Sequence, residues 1–271
     1  MLADPAVWIR ELRASHQRQA DLVGRLGPED LRRPSYDRGW TVTQVLGHVG
    51  SGAEITRRRL DAALTGSPQP EREDFQKIWD RWDSMAPEAV AEAMVESDRA
   101  CVALFESLDE RTLRELRVPF LPGMVQDARG AVAGRLNEHA LHSWDTAVTF
   151  DPTARVAPGS VPLLLANLVE GLGWLVARMT HGEAGARLAS KLGDQPILVR
   201  TTDPERWMAI VPGEEPQVLQ AEPGGQARLV IPAEAFLRLV YGRLDPDHTP
   251  AGVEAVPPLE LDDLRALFPG L

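Results

Sequence analysis

With 271 residues, 44% of them hydrophobic and 25% charged, the chain has an ordinary globular composition and exceeds one average domain, so two domains of about 100–150 residues are expected. A formal net charge of −11 excludes the cationic footprint of a nucleic-acid binder, and no apolar run reaches the roughly 18 residues of a membrane span. The single cysteine, Cys101, excludes an internal disulfide and a cysteine-based zinc cluster.

The N-terminus lacks a basic flank followed by an apolar block, so no signal peptide is expected and the protein is placed in the cytoplasm. From Pro5 to about Leu26, Val7, Trp8, Leu12, Leu22 and Val23 recur at helical spacing, with His16 in the polar middle as a solvated side chain, and Gly27-Pro28 ends the helix. After a turn-rich Ser35–Trp40, Thr41-Val-Thr-Gln44 matches a capping box. It opens a second helix that carries Val42, Val45, Leu46 and Val49, passes His48 and reaches about Leu64. Gly47 and Gly50 leave little bulk beside His48, so another helix or a ligand could approach. Residues 68–85 read as a polar linker turning into an aromatic segment whose Trp79 and Trp82 suit either a pocket wall or plain packing. A third helix runs from Pro87 to about Leu108, with Cys101 in an apolar context that suits a buried, inert thiol.

A fourth helix begins near Val125 or Asp127 and extends to Phe150. Within it Glu138 and His142 stand four positions apart on one face, close enough to share a divalent ion. A third ligand from another helix, His48, would leave an open coordination position, and Asp145, three residues past His142, can accept a proton from its imidazole. The same spacing also describes the wet side of a surface helix bearing Glu138, His139 and His142. Four helices with ligands on the second and fourth suit a metal site in a bundle core.

Residues 151–160, rich in Pro, Gly and small side chains, mark a boundary between domains at 1–152 and 160–271. Beyond it, Val161 to about Met179 reads as an apolar helix. Residues 196–202 and 206–211 alternate as strands, 218–220 and 227–231 add two more, and Pro232–Tyr241 reads as a helix ended by Gly242. The fold class is therefore α+β: an N-terminal four-helix bundle followed by a smaller α+β domain.

Trp40-Thr41-Val42, Gly47-His48-Val49 and the run from Arg135 through Glu138, His142, Trp144 and Asp145 resemble the mycothiol-dependent maleylpyruvate isomerase family of the DinB-like superfamily. The resemblance spans the chain and implies a DinB-like bundle joined to a sterol-carrier-like domain. It also implies Zn²⁺, or another divalent metal, on His48, Glu138 and His142, with mycothiol or a similar low-molecular-weight thiol as cosubstrate. An arginine of the C-terminal domain would clamp a substrate carboxylate, with Arg243 the matching position and Arg238 its competitor. Asp145 and Arg243 are accordingly assigned to catalysis, and Arg135, Trp82 and Arg238 to binding of the cosubstrate. The implied activity is thiol S-transfer to a small electrophile or a maleylpyruvate-type isomerisation, by a monomer or homodimer. A metal-dependent hydrolase and a non-catalytic small-molecule-binding module are the alternatives.

Overall fold

The structure, a computed structural model, describes residues 4–120, 123–172, 182–193, 195–213 and 216–270. It divides into two compact units between Ala154 and Arg155.

The first unit is built on four long helices, α1 (Pro5–Val23), α3 (Val42–Thr65), α5 (Pro87–Ser107) and α7 (Ala128–Val148), interspersed with the shorter α2 (Pro28–Leu31), α4 (Arg72–Asp83) and α6 (Glu110–Glu115). The long helices close a ring in which α3 packs on α5, α5 on α1, α1 on α7 and α7 on α3. Their apolar stripes meet inside it, burying Leu12, Leu46, Val49, Met94, Phe105, Val132 and Leu136. The start of α3 is fixed locally. The Thr41 amide donates to Gln44 Oε1 at 2.8 Å and the Gln44 amide to Thr41 Oγ1 at 3.3 Å, which satisfies two otherwise orphaned donors. Gly66, in the left-handed conformation at φ +68°, ends the helix.

The segment read as a polar linker is helical. In α4 only Ile78 and Trp82 are buried, so the segment presents too narrow an apolar stripe to stand out by periodicity. Trp82 lies against the backbone of α3, where a Cβ on Gly50 would come within 2.3 Å of its ring. The room left by this glycine is thus occupied by Trp82 as plain packing. A short hairpin, β1 (Arg117–Pro119) with antiparallel β2 (Val125–Asp127), precedes α7. The Asp127 side chain then caps α7 by accepting from the Gly130 amide at 2.9 Å.

The second unit centres on a five-stranded sheet of order β5-β4-β3-β6-β7. Its strands are β3 (Ile197–Thr202), β4 (Arg206–Val211), β5 (Gln217–Gln220), β6 (Leu229–Pro232) and β7 (Glu254–Ala255). Along β3, Ile197, Val199 and Thr201 are buried, giving the alternation of a strand with one covered face. β3 pairs antiparallel with β4 but parallel with β6, beside which the helix Ala233–Val240 begins. Pro232 closes β6 and precedes the first turn of that helix, one residue later than the sequence pattern placed its start. The apolar helix from Val161 runs to Asn167 and passes into a π-helical turn at Leu168–Leu172; the rest of its expected span lies outside the described residues.

Candidate metal centre

His48 sits on the second turn of α3, where the capped N-terminus fixes the rotation of the helix, and Glu138 and His142 occupy adjacent turns of α7. Packing of α3 against α7 brings the three side chains together. His48 Nε2 is 3.3 Å from Glu138 Oε2, His142 Nε2 is 3.7 Å from the same oxygen, and the two imidazole centroids are 4.6 Å apart. One ligand atom from each residue lies within 4.8 Å of the others. Donors about 2.0–2.1 Å from a tetrahedral zinc stand about 3.4 Å apart. The two separations from Glu138 Oε2 already stand near that value. The Trp40 ring flanks His48 at 5.5 Å between centroids.

His142 is oriented for ligation. Its Nδ1 is 2.8 Å from Asp145 Oδ2, an outer carboxylate contact of the kind that orients a metal-binding imidazole, and its Nε2 is turned toward Glu138. Asp145 is fully buried. A second carboxylate, Asp37 Oδ2, reaches the same nitrogen at 3.3 Å from the turn that follows α2. No spacing signal in the sequence ties Asp37 to His142, because a loop delivers it across the fold. Desolvation by the surrounding protein works to raise the pKa of Glu138. The hydrogen bond from His48 and the charges of His142, His48 and Arg135 outweigh it and hold the carboxyl down at about 2. The cluster is open on one side. Side-chain exposure is 42% for His48 and 54% for Glu138, against 14% for His142.

Three residues assigned to cosubstrate binding are engaged elsewhere. Arg135 is 5% exposed and points into the bundle, where it pairs with Asp98 at 2.8 Å and donates to the Val49 carbonyl at 2.8 Å. Trp82 is packed under α3 with its indole N–H on Glu54 Oε2 at 3.1 Å, and Arg81 braces the same carboxylate. Arg238 is 2% exposed and binds Glu234 in bidentate fashion at 2.8 and 2.9 Å inside the α+β unit. In each case a long or amphipathic side chain whose polar tip finds an internal partner is buried by that partner, a contact that sequence spacing does not reveal. Arg243, in the same unit, is half-buried and donates to the Tyr241 carbonyl at 2.9 Å. His16, expected to be solvated, is instead buried, with Nδ1 on Asp98 Oδ2 at 2.9 Å.

A ring of four helices that presents an open His–Glu–His cluster of metal-binding geometry, followed by a separate α+β unit, defines a helical-bundle protein with a candidate metal centre. The family model for the mycothiol maleylpyruvate isomerase N-terminal domain matches residues 12–147, and the chain belongs to that family. Two solved structures, of the mycothiol-dependent maleylpyruvate isomerase and of a histidine-to-alanine mutant of it, are similar over 93% of this chain and 92% of theirs. Each has a TM-score of 0.61 and 14% sequence identity, a likeness of fold. No curated protein sequence matches the chain.

Proposed function

We propose that this protein is a zinc-dependent enzyme that activates a low-molecular-weight thiol of the mycothiol type for attack on a small electrophile, as a thiol S-transferase or a maleylpyruvate-type isomerase. The observation that carries the reading is the convergence of His48, Glu138 and His142 on one point with solvent access on one side. The donor set fits the ion: two imidazoles and a carboxylate, with one imidazole oriented through Asp145, form a three-ligand site of the kind catalytic zinc uses. When bound there, the ion lowers the pKa of a thiol at its vacant position and so supplies a thiolate near neutral pH.

The chain's own residues prepare that position. Asp145 holds the His142 ring so that Nε2 faces Glu138, with Asp37 Oδ2 3.3 Å from the same Nδ1, and Glu138 stays ionised throughout the physiological range. The chain's one thiol does not compete. Cys101 is fully buried, and desolvation pushes its thiol up to about 12. A borrowed thiol fits this inventory, and so does the cytoplasm, where small thiols are kept reduced. The family's substrates, mycothiol and maleylpyruvate, are the first compounds to try.

The test is metal analysis of untagged protein followed by cobalt substitution and titration with mycothiol and other small thiols. About one zinc per chain, lost in His48→Ala, and a sulfur-to-cobalt charge-transfer band on adding thiol are the expected results. Absence of metal removes the reading, and turnover that needs no thiol makes the protein a hydrolase instead.

A further inference from the structure

The bundle contains a second polar cluster, buried behind the first. Asp98 on α5 and His139 on α7 are fully buried, Arg135 on α7 is 5% exposed and His16 on α1 is 9% exposed. Asp98 Oδ1 accepts from Arg135 Nη2 at 2.8 Å, and Asp98 Oδ2 takes His16 Nδ1 at 2.9 Å. His139 Nε2 lies at 2.9 Å from that same oxygen, off the axis of a good hydrogen bond, while its Nδ1 is held by Ser15 Oγ at 2.8 Å and Ser143 Oγ at 3.2 Å. The Arg135 Nη2 that binds Asp98 also donates to the carbonyl of Val49 at 2.8 Å. One guanidinium therefore spans α7, α5 and α3, and the carbonyl it grips belongs to the residue after His48. On α7, Arg135 lies three residues before Glu138 and His139 three residues before His142. Gly52 leaves the guanidinium its path, since a Cβ there would stand 3.1 Å from Arg135 Nη1.

We propose that Asp98, Arg135, His139 and His16 form a brace that fixes the separation and rotation of α3 and α7, and thereby sets the metal affinity of the His48–Glu138–His142 site. The inference rests on the metal reading given above. Apolar packing alone leaves helices free to slide by fractions of an ångström at little cost, whereas ligands must be held within about 0.5 Å of their productive positions. A directional, charge-assisted network has no such freedom. The cluster is a brace rather than a second metal site because Arg135 already balances the Asp98 charge. A divalent ion between the imidazoles would leave net positive charge buried. These residues are positioning residues, since none of them shares the point on which the three ligands converge.

The test compares untagged wild type with Arg135→Lys and with the charge-neutral double variant Asp98→Asn/Arg135→Met. Zinc affinity is read by competition with a chromophoric chelator, coordination by the ligand-field absorption of the cobalt form, and folding by circular dichroism. A lysine side chain is shorter, so its ammonium stops short of the Nη2 position from which both the Asp98 and the Val49 contacts are made. The expected result is folded protein whose zinc affinity falls roughly tenfold or more, with a shifted cobalt spectrum, and a smaller loss in Arg135→Lys than in the double variant. Should the double variant fail to fold, Arg135→Lys decides alone, because it keeps the charge. Folded variants with affinity within about twofold of wild type and an unchanged cobalt spectrum overturn the brace. A zinc ion retained in His48→Ala but lost in the double variant also overturns it, by making the cluster a metal site. Wild type that takes up no zinc at all removes the metal reading and the brace together.

Discussion

His142 shows how much of the site depends on contacts beyond the ligand atoms. Its Nδ1 faces Asp145 at 2.8 Å and Asp37 at 3.3 Å, so the ring keeps one carboxylate partner if the other is removed. Loss of a ligand's outer partner ordinarily weakens metal binding by about 10–100-fold. Asp145→Ala is therefore expected near the lower end of that range and Asp37→Ala/Asp145→Ala near the upper, as read by chelator competition. Glu138 and His142 were legible as a pair because both lie on one helix, where four residues return to the same face. His48 was legible only as a candidate, and Asp37 not at all. The inert Cys101 could be read from its apolar neighbours, whereas the internal partners of Arg135, Trp82 and Arg238 could not.

Among the elements, α3 joins local and tertiary requirements most closely. Its capping box was visible in Thr41 and Gln44, and Thr41→Ala is expected to cost about 1 kcal/mol of stability in urea unfolding, with fraying of the first turn, next to the turn that carries His48. Gly50 is a different case. Alanine is the better helix former by about 1 kcal/mol. Here, however, the new methyl would stand 2.3 Å from the Trp82 ring and 3.0 Å from the Met94 Cα, and neither the buried indole nor the backbone can readily give way. Gly50→Ala is expected to be destabilising on balance, by about 1–3 kcal/mol, with the denaturation midpoint as the measurement. The sequence shows that a glycine stands beside His48, but what fills the space comes from α4, whose polar surface hid the helix.

At the scale of the molecule, the proposed zinc site and the buried carboxylate Asp98 each carry a stability prediction. Zinc that binds only the folded state at about 100 times its dissociation constant adds about 2.7 kcal/mol. Calorimetry of the wild type is expected to show a rise of several degrees in Tm with zinc, absent in His48→Ala. The acid limit is set in part by Asp98. Burial pushes this carboxyl up, but the charges of His139 and Arg135 and the contacts from His139 and His16 prevail and hold it well below the usual carboxylate range. A carboxyl depressed in the folded state stabilises it fully above the unfolded pKa, about 3.9, and that contribution is lost as pH falls further toward the folded value. The wild type should therefore lose stability progressively below about pH 4, more steeply than Asp98→Asn/Arg135→Met, in denaturant midpoints taken across pH 2–6. None of the described helices is long and apolar enough to cross a membrane.

By itself the sequence determined the helical bundle followed by a smaller α+β part, the start of α3, the E-x-x-x-H pair and the family, because each is written in local periodicity, capping chemistry or short motifs. The tertiary structure alone decided that β3 pairs in parallel with β6, that Trp82 fills the notch at Gly50, and that Asp37 reaches His142. It also decided that His16, Asp98, Arg135 and His139 meet inside the bundle. Those contacts join residues far apart in the chain, and their geometry follows from how helices and strands pack, which spacing along the sequence does not encode.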